Sequence, residues 1–119
     1  MTDEEAATRG SWKIQPMSDH RRRIDYQRAF LEAEFAKISS GHIPRGMEDK
    51  WFAFFEDGWV HLHRSWTGFC IFQLKLAKTA EGWRVEEAWV SEDESQYRSR
   101  GDSDDVALLK NVMQWVFGL

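Results

Sequence analysis

The chain has few residues that cross-link a fold or interrupt its helices and strands: one cysteine, Cys70, and two prolines among 119 residues. A single thiol forms neither an internal disulfide nor a site built from several thiolates, so we expect a reducing, cytoplasmic location. No apolar run approaches the roughly 18 residues that a membrane-spanning helix needs. The acidic start, Met1 to Thr8, lacks the basic-then-apolar order of a signal peptide. The sequence therefore predicts a protein with no membrane partner.

Several function classes are excluded by missing motifs and by charge. The chain has neither a glycine-rich phosphate loop followed by Lys-Ser or Lys-Thr nor a dinucleotide-binding fingerprint, which excludes the common kinase, ATPase and dehydrogenase designs. Sixteen Lys and Arg stand against 20 Asp and Glu, and the net charge of -4 argues against a nucleic-acid partner. The short basic run from His20 to Arg23 is typical of a solvated segment.

Aromatic residues, by contrast, are plentiful. They make up 14% of the chain and include seven Trp, which is ample for one packed core. Residues 1–19 show no sustained period and are predicted to form a flexible arm, although Trp12 gives this arm a means of folding over the sheet. Residues 20–119 are predicted to form a single α+β domain.

The element pattern predicts a helix, four strands and a second helix. A stripe from Ile24 to Ile38 indicates an N-terminal helix with Asp19 as its cap and Gly41 as its end. Strands follow at 50–56, 59–66, 69–78 and 83–91. Asp57-Gly58 is a strong type I′ hairpin signal, and Thr67-Gly68 is a second tight turn. A helix over 106–116 closes the chain. The predicted fold is a four-stranded antiparallel meander packed on one face by the two helices.

Counting outward from the two turns assigns side chains to the faces of this sheet. One face is predicted to carry Phe52, Phe54, His61, His63, Ser65, Cys70, Phe72, Leu74 and Leu76. The other is predicted to carry Trp51, Phe55, Val60, Leu62, Arg64, Trp66, Phe69, Ile71, Gln73 and Lys75. The second face is more polar, so we expect both helices to cover the histidine face. A slip of one residue at either turn would exchange the faces.

The face expected to stay open suggests a binding site. Trp51, Arg64, Trp66 and Lys75 are its candidate ligand-binding residues, since Arg beside aromatic rings suits phosphates and planar anions. The leading interpretation is a non-catalytic binding module for a nucleotide-like small molecule. The alternative is an interaction domain that uses the same patch as a homodimer or heteromer interface. Coverage by the arm is a third, purely structural interpretation.

A further alternative is a small hydrolase or metal-dependent enzyme that uses His61 and His63. These two side chains share a face, and Cys70 lies near them in the predicted register, while Glu86 or Glu87 reach from the next strand. No established metal or nucleophile motif is complete, so two hydrogen-bonded histidines and an inert core thiol are preferred. We therefore predict no catalytic residue, no metal ligand and no cofactor.

Three segments carry a resemblance to a known family: Asp49 to Phe52, Phe55 to Gly58, and His63-Arg64-Ser65-Trp66-Thr67-Gly68-Phe69. They resemble a small, largely uncharacterised bacterial domain with a Lys-Trp-Phe strand, a hairpin and a His-Arg-Ser-Trp-Thr-Gly stretch. That domain occurs alone or beside modules that process ADP-ribose. The resemblance covers residues 49 to 76 and implies a functional or structural role for His63, Arg64, Ser65 and Trp66.

Overall fold

A computed structural model describes residues 6–119 as one six-stranded antiparallel sheet with two helices. The elements are β1 Arg21–Ile24, β2 Ala29–Leu31, α1 Glu32–Ser40, β3 Trp51–Glu56, β4 Trp59–Arg64, β5 Cys70–Lys78, β6 Gly82–Ser91 and α2 Asp102–Phe117. The order across the sheet is β1-β6-β5-β4-β3. The short strand β2 also pairs with β6, along the same edge as β1 but at the other end of β6. The predicted α+β class is confirmed, with a sheet larger than the predicted meander.

The four central strands are sequential neighbours, as the sequence predicts. Asp57 and Gly58 both have positive φ, 52° and 86°, which the tight turn between β3 and β4 requires. This turn sets Phe54 opposite His61 and Phe52 opposite His63. The predicted register of the first hairpin is therefore confirmed.

The predicted helix from Ile24 to Ile38 is wrong over its first half. Residues 21–31 instead contain β1 and β2, which both pair with the outer edge of β6. A ten-residue β6 would otherwise leave a row of backbone donors and acceptors without partners. Of the predicted N-terminal helix, only the nine residues of α1 are helical, and Leu31, which lies within the predicted stripe, is 59% exposed. Long-range pairing has overridden the local helical spacing.

The predicted register between β4 and β5 is also wrong. The connection is a longer loop in which Arg64 N–H donates to Phe69 O and Gly68 N–H donates to Arg64 O. His61 pairs with Gln73 and Leu62 with Phe72, after which a bulge brings His63 opposite Cys70. Phe72 and Leu74 therefore lie on the face opposite to the histidines, because a shift of one residue reverses a strand's faces. Cys70 stays with the histidines only because of the bulge.

Both helices cover the face opposite to the histidines, which reverses the predicted coverage. We call this the helix face. Its buried strand residues include Trp51, Ala53, Val60, Leu62, Phe72, Leu74, Leu76, Val85, Ala88 and Val90. Ile38 of α1 and Leu109, Val112 and Met113 of α2 are fully buried in the same cluster. Each such side chain contributes about 1.5–3 kcal/mol by leaving water.

The opposite face is covered by the N-terminal segment, and we call it the arm face. It carries Phe52, Phe54, His61, His63, Cys70 and Gln73. Ala7, Trp12 and Ile14 pack against its two phenylalanines. Trp12 Nε1–H donates to Ser65 O at 2.8 Å, and Gln15 N–H donates to Gly68 O at 2.9 Å. Residues 7 to 15 of the predicted arm are thus docked on the sheet.

A buried carboxylate ties α2 to β1. Asp105, in the first turn of α2, is 0% exposed and forms an ion pair with Arg22. Tyr97 and Ser99 donate further hydrogen bonds to the same carboxylate. Gly101 is the N-cap of α2, which begins four residues before the predicted start at Val106. Neither helix of the described residues is long and apolar enough to cross a membrane.

Candidate functional site

The four residues predicted to bind a ligand do not share one surface. Trp51 is only 5% exposed and stacks on Phe72 within the helix face. Arg64 lies over the Trp51 ring at 5.2 Å and is itself exposed. Trp66 is 69% exposed in the loop after β4. Lys75 projects from the arm face, where it lies 3.3 Å from Glu86, so it is separated from the other three.

Trp66 belongs to a corner where two loops meet. Its Nε1–H donates to Met47 O at 3.0 Å, and Ser65 bonds the same loop through Asp49 O and Lys50 O. Met47 is 77% exposed and Ile43 is 39% exposed. We name the surface formed by residues 43–50 and 64–66, the two segments that these hydrogen bonds join, the Trp66 corner. The hydrogen bonds hold the Trp66 indole in place although its ring faces solvent.

A second candidate site lies under the arm. His61, His63 and Cys70 each offer one ligand atom, and these atoms lie within 4.8 Å of one another. His61 and His63 are alternate residues of β4, while the bulge in the β4–β5 pairing supplies Cys70. Strand periodicity and one irregularity of pairing together build this cluster.

Hydrogen bonds fix how the two imidazoles present their nitrogen atoms. His63 Nδ1 lies 2.8 Å from Gly68 O, and since a carbonyl only accepts, Nδ1 carries the hydrogen. His63 Nε2 is buried and has no hydrogen-bond partner among residues 6–119. His61 Nδ1 lies 3.3 Å from Gln73 Nε2. The expectation that both histidines are satisfied is therefore not met for His63.

The electrostatics of the cluster favour neutral groups. Burial, followed by the charge of His63 and of Arg9, lowers the pKa of His61 to about 4. Burial likewise lowers the pKa of His63. Burial raises the pKa of Cys70 to about 12. At neutral pH, both imidazoles keep a lone pair, and the thiol keeps its proton, which makes it a poor nucleophile.

A cavity of about 170 Å³ adjoins the cluster beneath the arm. The arm contributes Arg9, Ile14, Pro16 and Met17 to its wall, opposite the histidines. Arg9 also forms an ion pair with Glu56 at the end of β3. The cavity has room for a few water molecules or a small ligand beside the cluster.

Sequence reasoning missed Gly68 and the arm residues as parts of this site. Gly68 has φ 79°, accepts the hydrogen bond from His63 and lies against the backbone of Lys13. Its place at the end of the His-Arg-Ser-Trp-Thr-Gly stretch was the available signal, but it indicated only a turn. No pattern in the sequence around Arg9 or Met17 indicates that these residues line the cavity beside the histidines.

The comparisons with known proteins identify no relative. No family model matches the chain, and neither a curated protein nor a solved structure does so. The two candidate sites therefore stand on their own geometry.

Proposed function

We propose that this protein is a non-catalytic binding module that recognises a planar, anionic ligand of the nucleotide type at the Trp66 corner. The observation that carries the proposal is the Trp66 side chain, which is 69% exposed while its indole nitrogen is bonded to Met47 O. A ring that is fixed in place and open to solvent offers a stacking surface at little further loss of entropy.

The charges around Trp66 support an anionic ligand. Arg45, Lys50 and Arg64 belong to the two segments of the corner and are exposed, and none of them has an ion-pair partner within 4.0 Å in the described part of the chain. Arg64 packs over Trp51, which orders its guanidinium. An ordered guanidinium is suited to bidentate contact with a phosphate. The resemblance to a domain found beside ADP-ribose-processing modules makes ADP-ribose the first ligand to test.

A non-catalytic role fits the state of the chain's one thiol. Cys70 is the single cysteine of the sequence and is 0% exposed. Burial raises the pKa of this thiol, whereas a catalytic thiol needs a lowered one. The corner itself recognises by stacking and charge.

Titration with ADP-ribose, AMP and NAD should quench the protein's tryptophan fluorescence. Trp66→Phe should remove most of the change, because Trp66 is the ring on which the ligand stacks. Arg64→Ala should weaken binding about tenfold or more, since a hydrogen bond to a charged group contributes about 1.5–3 kcal/mol. The matched control is Lys75→Ala, which removes a cation from the arm face and should leave affinity unchanged. The absence of any fluorescence change at millimolar ligand would rule out this proposal.

A second candidate function is protein interaction through the same corner. Ile43, Met47 and Trp66 together expose apolar surface of the kind found at the centre of interfaces. Under this alternative, the protein should sediment as a dimer, and Trp66→Ala should make it monomeric. A wild-type protein that stays monomeric at high concentration would exclude the homodimer.

A further inference from the structure

The unpartnered Nε2 of His63 is the observation from which this inference starts. The residue is 2% exposed, and its other nitrogen is committed to Gly68 O. A buried acceptor without a partner costs about 1–3 kcal/mol. Buried groups of this kind in a native fold usually have an occupant such as water or an ion. The nature of the neighbouring groups indicates which occupant fits.

We propose that His61, His63 and Cys70 bind one borderline-soft transition-metal ion on the arm face. Imidazole and thiolate are the ligands that zinc and copper prefer over oxygen donors. The three ligand atoms already lie within 4.8 Å of one another. In a tetrahedral zinc site, bonds of about 2.0–2.3 Å place ligand atoms about 3.5 Å apart. Small side-chain rotations therefore bring the three atoms onto one ion.

The surroundings of His63 resemble those of a metal ligand. A metal-bound histidine commonly donates its second ring N–H to a backbone carbonyl, which fixes the ring and its tautomer. Gly68 O accepts this hydrogen bond at 2.8 Å. The same carbonyl accepts from Gln15 N–H, so the docked arm helps to hold the ligand's partner in place. The free nitrogen of His63 is thereby pre-oriented.

The remaining coordination position opens toward the cavity beneath the arm. Three protein ligands leave one position of a tetrahedral ion for water or a small anion. Met17 lines the same cavity, and His₂Cys with a distant Met is a set that copper also uses. The shared chemistry is thus a His₂Cys site, and the experiment below identifies the ion.

Metal binding changes the number of protons that the cluster holds. The Cys70 thiol loses its proton as the sulfur–metal bond forms, so one proton is released for each ion bound. His63 enters with the lone pair of Nε2 free, whereas His61 Nδ1 accepts a hydrogen bond from Gln73 Nε2–H, so His61 gives up this hydrogen bond or changes its tautomer on binding the ion. No electron transfer is required.

The experiment uses the full chain, stripped of metal with a chelator and then titrated with Zn²⁺, Co²⁺ or Cu²⁺. We expect one ion per chain and a rise in Tm on addition of Zn²⁺. Co²⁺ should give a near-ultraviolet thiolate-to-metal band with the visible bands of a tetrahedral ion. Elemental analysis of the protein as purified then tells zinc from copper, and either ion supports the site.

Variants of the cluster decide whether these residues are the ligands. Cys70→Ser should abolish the charge-transfer band. His63→Gln should weaken Zn²⁺ binding at least ~100-fold, since loss of even an outer partner lowers affinity about 10–100-fold. The matched control is His42→Gln, because His42 is paired with Asp49 far from the cluster in sequence and should leave metal binding unchanged. Circular dichroism checks folding, and Cys70→Ser, a small change, keeps the test decisive if His63→Gln does not fold.

Two results would overturn the inference. One is the failure of the stripped wild-type protein to bind an ion or to gain stability in any of the three titrations. The other is binding of equal affinity in wild type, Cys70→Ser and His63→Gln. Loss of nucleotide binding at the Trp66 corner would affect neither readout, because the two sites share no residue.

Discussion

Replacing Arg22 with leucine should lower the free energy of unfolding by about 3–5 kcal/mol, because it leaves a buried carboxylate without its cation. The Asp105 side chain is 0% exposed, and Arg22 is the cation in contact with it. Tyr97 and Ser99 would still donate hydrogen bonds to the carboxylate, but neither carries a positive charge. Urea unfolding followed by circular dichroism measures the loss.

Two further variants separate this charge effect from the loss of packing. Arg23→Leu removes the neighbouring arginine, whose side chain forms one hydrogen bond in the described residues, a long 3.4 Å contact to Glu86 O, and should change stability by less than ~1 kcal/mol. Adding Asp105→Asn to Arg22→Leu should restore part of the stability, since the amide carries no charge. Equal losses in Arg22→Leu and Arg23→Leu would show that the buried pair is not important.

Gly68→Ala should lower stability by about 3–4 kcal/mol and detach the arm from the sheet. A left-handed backbone costs an L-residue about 1–2 kcal/mol, and Gly68 has φ 79°. A Cβ at this position would also lie 2.6 Å from Lys13 O and 3.1 Å from Ile14 Cα. Displacing the arm exposes Trp12, whose burial contributes about 1.5–3 kcal/mol. Chemical unfolding gives the total, and hydrogen exchange of residues 7 to 15 reports the detachment.

Gly58→Ala is the control for backbone strain alone. Gly58 has φ 86°, but a Cβ there would meet nothing nearer than Leu76 O at 4.0 Å. The free energy of unfolding of the Gly58→Ala variant should therefore fall by about 1–2 kcal/mol, while the amides of the arm stay protected from hydrogen exchange. If both glycine variants lose the same stability and keep the same protection, the arm does not depend on its close approach to Gly68.

The strands and the first hairpin were predictable because their signals are local. Asp57-Gly58 supplies the two positive φ values that its turn requires, and the aromatic and β-branched runs on either side then pair in the expected register. The closing helix was predictable for the same reason, since its apolar spacing lies within one element. The loop after Arg64 was not, because its length depends on contacts with the arm and with Lys50.

The candidate sites were predictable only in part. Arg64 lies over Trp51 and precedes Trp66 by two residues, but Trp51 is buried and Lys75 lies on the other face, because the register of β5 is shifted by one residue. His61, His63 and Cys70 lie close together, as predicted, but the cause is the bulge in the β4–β5 pairing and not the predicted regular register. The predicted register and the observed bulge both place Cys70 on the histidine face.

By itself, the sequence determined the α+β class, the central strand order and the sharing of one face by the two histidines, because hydrophobic period and turn chemistry act over a few residues. Tertiary structure alone decided that residues 21–31 form edge strands, which face the helices cover and where the arm docks. These outcomes depend on which distant groups satisfy the edge of β6 and bury the two faces of the sheet. These contacts join segments that are far apart in the chain. Patterns within a short stretch of sequence therefore do not predict them.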